Sequence, residues 1–287
     1  MALGPLMKDM LMLCAVEYHY GAKLKLVHML PLVNLVLNLV GESNDIVDDY
    51  REKVKWDGTS GDVAEKSYFL HLYVYREEWD KANELYNYLV DLDIGPLRSF
   101  PIWHTRVFFF AVVAIRNAQK AKLLNRRKWA RIAQGHVDSI RTWVLQRKAI
   151  NLVHKLHILE AMLLTLNRSF PSDKLLQSAF DKAIIPASRA GLFQDSGLAA
   201  ALAAQCLKDR SLKRRYASIA QQAYLRWGAK GIVRSLHSTS VLHREARFEP
   251  TPSFAQGSSL RSIERFTKSA VHLLGSTEAL DSTRGSS

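Results

Sequence analysis

Apolar residues recur three and four positions apart along most of this chain, and positions so spaced share one face of a helix. Leu176, Phe180 and Ala183 follow that spacing, as do Tyr216, Ala220, Ala223 or Tyr224, and Trp227. Trp129, Ile132, Ala133, His136, Ile140, Trp143 and Val144 make a further stripe, with the nearby arginines facing away. Leu152, Leu156, Leu159, Leu163 and Leu166 make another. These stripes predict helices over residues 126–147, 149–166, 172–190, 196–207 and 211–227, with a shorter helix running to residue 236. Ser172-Asp173 supplies cap candidates where the third of these begins. Residues 63–92 read as two helices with a break at 77–80, ended by the Gly95-Pro96 and Phe100-Pro101 steps. The run Phe108-Phe-Phe-Ala-Val-Val-Ala114 alone fits a strand, but its length and its continuation into Ile115-Arg-Asn-Ala predict a buried helix over 102–120.

Outside this region the pattern changes. Residues 1–40 are apolar and helical in pattern, punctuated by Gly21 and Pro31. Residues 41–61 read as an acidic loop with one short helix at 46–54. The apolar stretch 24–40 is 17 residues long and contains Lys25, His28, Pro31, Asn34 and Asn38. A spanning helix needs about 20 mostly apolar residues, so a buried helix broken at Pro31 is expected rather than a membrane segment. From His237 onward Ser, Thr, Gly and Pro dominate, which predicts a flexible tail. Within it, Ile263, Phe266, Ala270 and Leu274 align on one side of a short amphipathic segment, either a docking element or a marginal helix.

Helices joined by loops of a few residues pack as antiparallel pairs. Faces that alternate alanine with an aromatic let neighbouring helices approach closely, as in tetratricopeptide-type stacks. Glu78-Trp-Asp-Lys-Ala82, Lys128-Trp-Ala-Arg-Ile-Ala133 and Ala179-Phe-Asp-Lys-Ala183 each set an aromatic just before an alanine. The alanines Ala82, Ala130, Ala183 and Ala220 lie 48, 53 and 37 residues apart, whereas a regular period would be about 34. The expected fold is therefore all-α: an irregular, tetratricopeptide-like array of antiparallel helix pairs, an α-solenoid with a flexible C-terminal tail. Its expected parts are 1–60, 61–236 and 237–287.

Charge adds polarity to this picture. The net charge of +13 is unevenly spread. Residues 40–95 carry 14 acidic against 6 basic side chains, whereas residues 116–155 carry 11 basic side chains and only Asp138 against them. Residues 207–234 hold 8 basic and 1 acidic. Such runs are commonly solvated faces, yet a basic section also attracts acidic partners. Arg126, Arg127, Lys128 and Arg131 are the candidate binding residues for an acidic partner, a peptide or a neighbouring domain held on the concave surface of the array. The two cysteines, Cys14 and Cys206, define no disulfide framework and fit a reducing compartment, the cytoplasm. The first fifteen residues lack a signal-peptide cleavage pattern.

Chemistry is sparse. His154 and His157 lie three apart, but no carboxylate or cysteine follows at ligand spacing, and a structural metal site needs four ligands. Packing or capping is the expected role for both. His136 reads as a core or groove histidine and His104 as a surface or capping one. Glu77-Glu78 diverge on a helix. The Arg126-Arg-Lys128 run beside Trp129 carries no nucleic-acid-binding signature. No cofactor and no catalytic residue is expected.

The segment 102–236 resembles the helical region of very large bacterial and algal signalling proteins that join a serine/threonine kinase-like domain to an AAA-type predicted ATPase. Lys128-Trp-Ala-Arg-Ile-Ala, His136, Ile140, Trp143-Val, Asn151, His154-Lys-Leu and Leu159-Glu-Ala161 carry its central part. Phe180-Asp-Lys-Ala183, Gly191-Leu-Phe-Gln-Asp195, Leu198-Ala, Ala220, Tyr224 and Trp227-Gly-Ala229 carry its end. The loop 208–211 lacks the glycine usual there. The chain holds no phosphate loop, no His-Arg-Asp and no Asp-Phe-Gly motif, so the family's nucleotide-binding residues have no counterparts here. The resemblance implies a truncated relative or a fragment, acting as a non-catalytic interaction scaffold in signalling. Two alternatives stand beside it: an ATP-binding kinase or ATPase relative, and a basic nucleic-acid-binding module.

Overall fold

The computed structural model describes residues 2–53, 62–92, 101–167 and 169–239. Among these residues the chain forms twelve α-helices, one 3-10 turn and no strand, so it is all-α. The chain divides after Glu65 into two units with separate packing.

In the first unit α1 (Leu3–His19) packs on α2 (Lys23–Val40), and α2 on α3 (Asp45–Lys53). Leu3, Met7, Leu11 and Cys14 line the inner face of α1, and Leu26, Leu30, Val33 and Leu37 that of α2. Gly41, at φ 85°, closes α2 by donating its N–H to the Leu37 carbonyl at 2.7 Å, a left-handed cap that glycine adopts without a Cβ penalty. The buried Asn34 donates to Glu65 Oε1 at 3.1 Å, and Glu65 also ion-pairs with Arg51 of α3.

α4 (Asp62–Tyr75) leads into the second unit. There follow α5 (Trp79–Val90), α6 (Pro101–Lys120), α7 (Leu123–Leu145), a 3-10 turn (Ile150–Leu152) and α8 (Val153–Leu164). The last four are α9 (Asp173–Arg189), α10 (Phe193–Cys206), α11 (Arg210–Trp227) and α12 (Lys230–Thr239). Packing is mainly between successive helices: α5 on α6, α6 on α7, α8 on α9, α9 on α10, α10 on α11 and α11 on α12. α8 also meets α6 and α10. The Tyr75 ring sits 5.7 Å from Phe109 of α6, 6.1 Å from Tyr224 and 5.5 Å from Trp227, so α4 touches both an early and a late helix of this unit. In α10 every residue from Asp195 to Ala204 is buried. Its alanines let neighbours approach from all sides, which is how a helix without a polar face survives in a core.

Caps fix two of the helix starts. Ser172 Oγ accepts the Leu175 N–H at 3.3 Å, as its position before α9 predicts. Asp173 does something else: its carboxylate takes the N–H groups of Lys208 (3.0 Å) and Asp209 (2.7 Å). That holds the glycine-free loop before α11, and Asp209 in turn caps α11 through the Leu212 N–H.

Several expectations need correction. α2 runs unbroken through Pro31; a helix-interior proline costs about 3 kcal/mol, and burying Leu30, Val33 and Leu37 around it offsets that cost. Helix continues past residue 236, through Thr239. Trp129 and Trp227 are half-buried rather than core residues; each lies on its helix's apolar stripe but toward an end of the helix, Trp129 near the start of α7 and Trp227 at the last residue of α11. The expected turn at 95–96, Phe100 of the step at 100–101, the loop at 54–61 and the tail from 240, including the 260–274 segment, lie outside the described residues, while Pro101 opens α6. Among the described residues no helix is long and apolar enough to cross a membrane.

Candidate functional site

The four sequence candidates sit at the start of α7 but do not act alike. This end of the helix begins at Lys122 with no side-chain cap and no acidic residue in its first turn. Cations beside the positive end of a helix dipole are unfavourable, while an anion there is favoured by roughly 0.3–1 kcal/mol. Arg127, Lys128 and Arg131 are exposed, and no ion pair holds them among the described residues. Leu123 and Leu124, one turn earlier, are 80% and 82% exposed. Arg126 turns the other way: it is half-buried, donates from Nη2 to the Leu166 carbonyl at 3.2 Å and lines a cavity with Arg116 of α6.

Further along α7 the buried positions are Ala133, Val137 and Ile140. Trp129 and His136 both flank Tyr86 of α5, at ring distances of 5.6 and 6.2 Å. His136 faces the Tyr86 hydroxyl at 3.4 Å, and burial lowers its pKa to about 4. It is the groove histidine that the stripe predicts. His104 is half-buried and stands edge-on to Trp143 at 4.5 Å; it belongs to the α6–α7 contact, not to an exposed cap.

Sequence spacing does not reveal the main ionic cluster. Asp195 of α10 lies between His154 and Lys155 of α8: His154 Nε2 is 2.7 Å from Asp195 Oδ2, and Lys155 Nζ donates to Oδ1. Burial pushes the Asp195 pKa up, but the Lys155 charge and the His154 hydrogen bond outweigh it and hold the carboxyl at about 2. Lys155 also lies 4.8 Å above the Phe108 ring. His71 of α4 stacks on Phe109 at 4.1 Å, and its Nε2 has no hydrogen-bond partner. Burial first, then the Lys155 charge, lowers its pKa to about 3. The acid, the base and the ammonium satisfy one another, so this cluster clamps α8 to α10 rather than presenting a free reactive group. His157 takes a separate contact with Glu160 at 3.4 Å. Among the described residues no three His, Cys, Asp or Glu side chains are grouped to hold a metal ion.

Sequence reading missed Asp195, Arg116 and Gln205. Arg116 and Gln205 did leave a signal: each is a polar residue near the end of an otherwise apolar helix run.

Compared with protein families, curated proteins and solved structures, the chain matches none of them.

Proposed function

We propose that this chain is a non-catalytic helical scaffold, of the tetratricopeptide-like array type, that docks an acidic, leucine-bearing segment of a partner protein on the start of α7. The observation that supports this reading is the juxtaposition there of exposed Leu123 and Leu124 with exposed Arg127, Lys128 and Arg131 on an uncapped helix end. An apolar anchor beside cations matches a segment that alternates acids with leucines, since charge steers the encounter and apolar burial holds it. A role in signal transduction is supported only by the resemblance of 102–236 to the helical region of kinase–ATPase signalling proteins. Two unpaired, buried cysteines suit a reducing, cytoplasmic setting.

The test is titration of a labelled peptide that alternates glutamate and leucine. Affinity should fall with added salt and by at least about tenfold in the triple variant Arg127→Glu, Lys128→Glu, Arg131→Glu, which is a loss of about 1.4 kcal/mol. Equal binding by the variant removes the reading. ATP binding by the intact chain would favour the ATPase alternative. Tight RNA or DNA binding with a steep salt slope would favour the nucleic-acid alternative.

A further inference from the structure

The two basic runs of the sequence, 116–155 and 207–234, meet at one place in the fold. A cavity of about 250 Å³ opens there among α6, the first turns of α7, the end of α8 and the end of α10. Arg116 and Arg126 of the first run line it, and so does Phe170. Lys208 of the second run stands 4.2 Å over the Phe170 ring. Lys213, also of that run, is close enough to act on the thiol of Cys206, another lining residue. No carboxylate lines the cavity. Glu77 acts on Arg116 without lining it. The carboxylates beside Lys208, those of Asp173 and Asp209, already accept backbone N–H groups.

Cations from two distant stretches of chain are thus gathered around one small space with no acid in its wall. Like charges held together away from bulk water repel, and an anion among them removes that cost. The donors are also set in place. Arg116 is held from two sides: its Nη1 donates to Gln119 Oε1 at 3.0 Å, and the Trp79 ring lies 5.0 Å from its central carbon. Gln119 is fixed in turn, because its Nε2 donates to Thr165 Oγ1 at 2.7 Å. Arg126 is tethered through Nη2 to the Leu166 carbonyl at 3.2 Å. Arg116 Nη2 and Arg126 Nη1 are bonded to no described residue, and neither is sealed from solvent. Guanidiniums fixed beforehand lose little freedom on binding. A lone carboxylate leaves positive charge over, whereas a phosphoryl dianion balances two guanidiniums and has oxygens enough to accept from both. The volume lies below the roughly 300–1,000 Å³ of drug-sized pockets, which restricts what enters to a phosphoryl group and a few further atoms, with Phe170 as an apolar wall. We propose that this cavity binds the phosphoryl group of a phosphomonoester, either a small free one or a phosphorylated side chain of a partner. The site is separate from the α7 docking face, which uses Arg127, Lys128 and Arg131.

Calorimetric titration of the intact chain tests the proposal. The probes, at matched ionic strength, are methyl phosphate, a neutral tripeptide carrying phosphoserine, the same tripeptide unphosphorylated, and acetate. At least one of the two phosphomonoesters should bind about tenfold or more tightly than acetate and than the unphosphorylated tripeptide. Binding of methyl phosphate alone assigns the site to a free phosphomonoester, and binding of the phosphoserine tripeptide assigns it to a phosphorylated chain. Arg116→Met and Arg126→Gln should each weaken that binding by at least about tenfold, with an unchanged circular-dichroism spectrum showing that the fold is intact. Should Arg116→Met fold poorly, Arg126→Gln, at a half-buried position, decides alone. Binding of neither phosphomonoester, acetate binding as tightly as they do, or full affinity in the folded Arg126→Gln chain overturns the proposal.

Discussion

Gly197 of α10 lies so close to the ring of Tyr224 of α11 that a β-carbon at position 197 would sit 2.6 Å from Cε1 and 2.8 Å from Cδ1. The Tyr224 ring cannot retreat easily, since it is fully buried and Tyr75 packs edge-on against it at 6.1 Å. Alanine favours a helix by up to about 1 kcal/mol over glycine, but overpacking a closed core costs roughly 1–3 kcal/mol. Gly197→Ala should therefore lower the urea midpoint, and Tyr224→Leu in the same chain should recover part of the loss. An unchanged midpoint in the single variant would show that the α10–α11 contact yields freely.

Phe180 is fully buried in α9, whereas the larger Trp129 is only half-buried. Phe180→Ala should cost about 3–5 kcal/mol. Trp129→Ala should cost clearly less despite the greater volume removed. Denaturant titration of both variants gives the comparison, and the reverse order would move the core of this unit toward α7.

Removing the Asp195 charge leaves the partly buried Lys155 without its partner. Breaking such a pair costs about 3–5 kcal/mol, while replacing both members by apolar groups can be neutral. Asp195→Asn should thus be strongly destabilising. Adding Lys155→Met should recover most of the loss, as measured by a double-mutant cycle.

Acid should weaken the fold in two windows. Burial, helped by the Lys155 charge, holds His71 at about 3 against an ordinary 6.5. The unfolded chain therefore takes up a proton below pH 6.5 that the folded chain refuses. Stability falls as pH drops from 6.5 toward 3, by up to about 1.4 kcal/mol per pH unit. His136, held at about 4 by burial, acts in the same sense. Asp195 acts lower: its contribution is complete above 3.8 and is lost as pH falls toward 2. In His71→Phe, which can keep the stack on Phe109, the slope between pH 6.5 and 4 should flatten to the part due to His136. A slope equal to that of the parent chain would contradict a neutral buried His71.

Both thiols should be inert in the folded chain. Burial, with Glu17 adding, raises the Cys14 pKa to about 12; burial raises that of Cys206 to about 11 against the opposing charge of Arg116. Since the thiolate is the reactive form, a disulfide reagent at pH 8 should label neither cysteine until denaturant is added. Prompt labelling of the native chain would refute this.

Helix placement was readable because a 3.6-residue period needs only local sequence. The stripes through Leu176–Phe180–Ala183 and Tyr216–Ala220–Tyr224 name buried faces that the structure keeps. Periodicity does not say which helix a face will meet. Asp195 therefore passed as one residue of a short motif, although it joins Lys155 across 40 positions. Pro31 misled for a related reason: its local cost is visible in sequence, whereas the burial that offsets it belongs to neighbouring elements. Of the four basic candidates, sequence grouped Arg126 with Arg127, yet adjacent helix positions point about 100° apart, and only Arg126 turns into the cavity.

The absence of a solvent face on α10 bears on how the second unit assembles. In an open repeat stack, stability is close to a sum of neighbour terms and folding starts anywhere. α10 gains its burial only once α8, α9 and α11 surround it, and Tyr75 ties α11 back to α4. Losing one wall exposes an alanine–leucine surface and weakens the others together. The unit should therefore unfold in a single cooperative step, and any chain lacking α11 should self-associate instead of persisting as a shorter array.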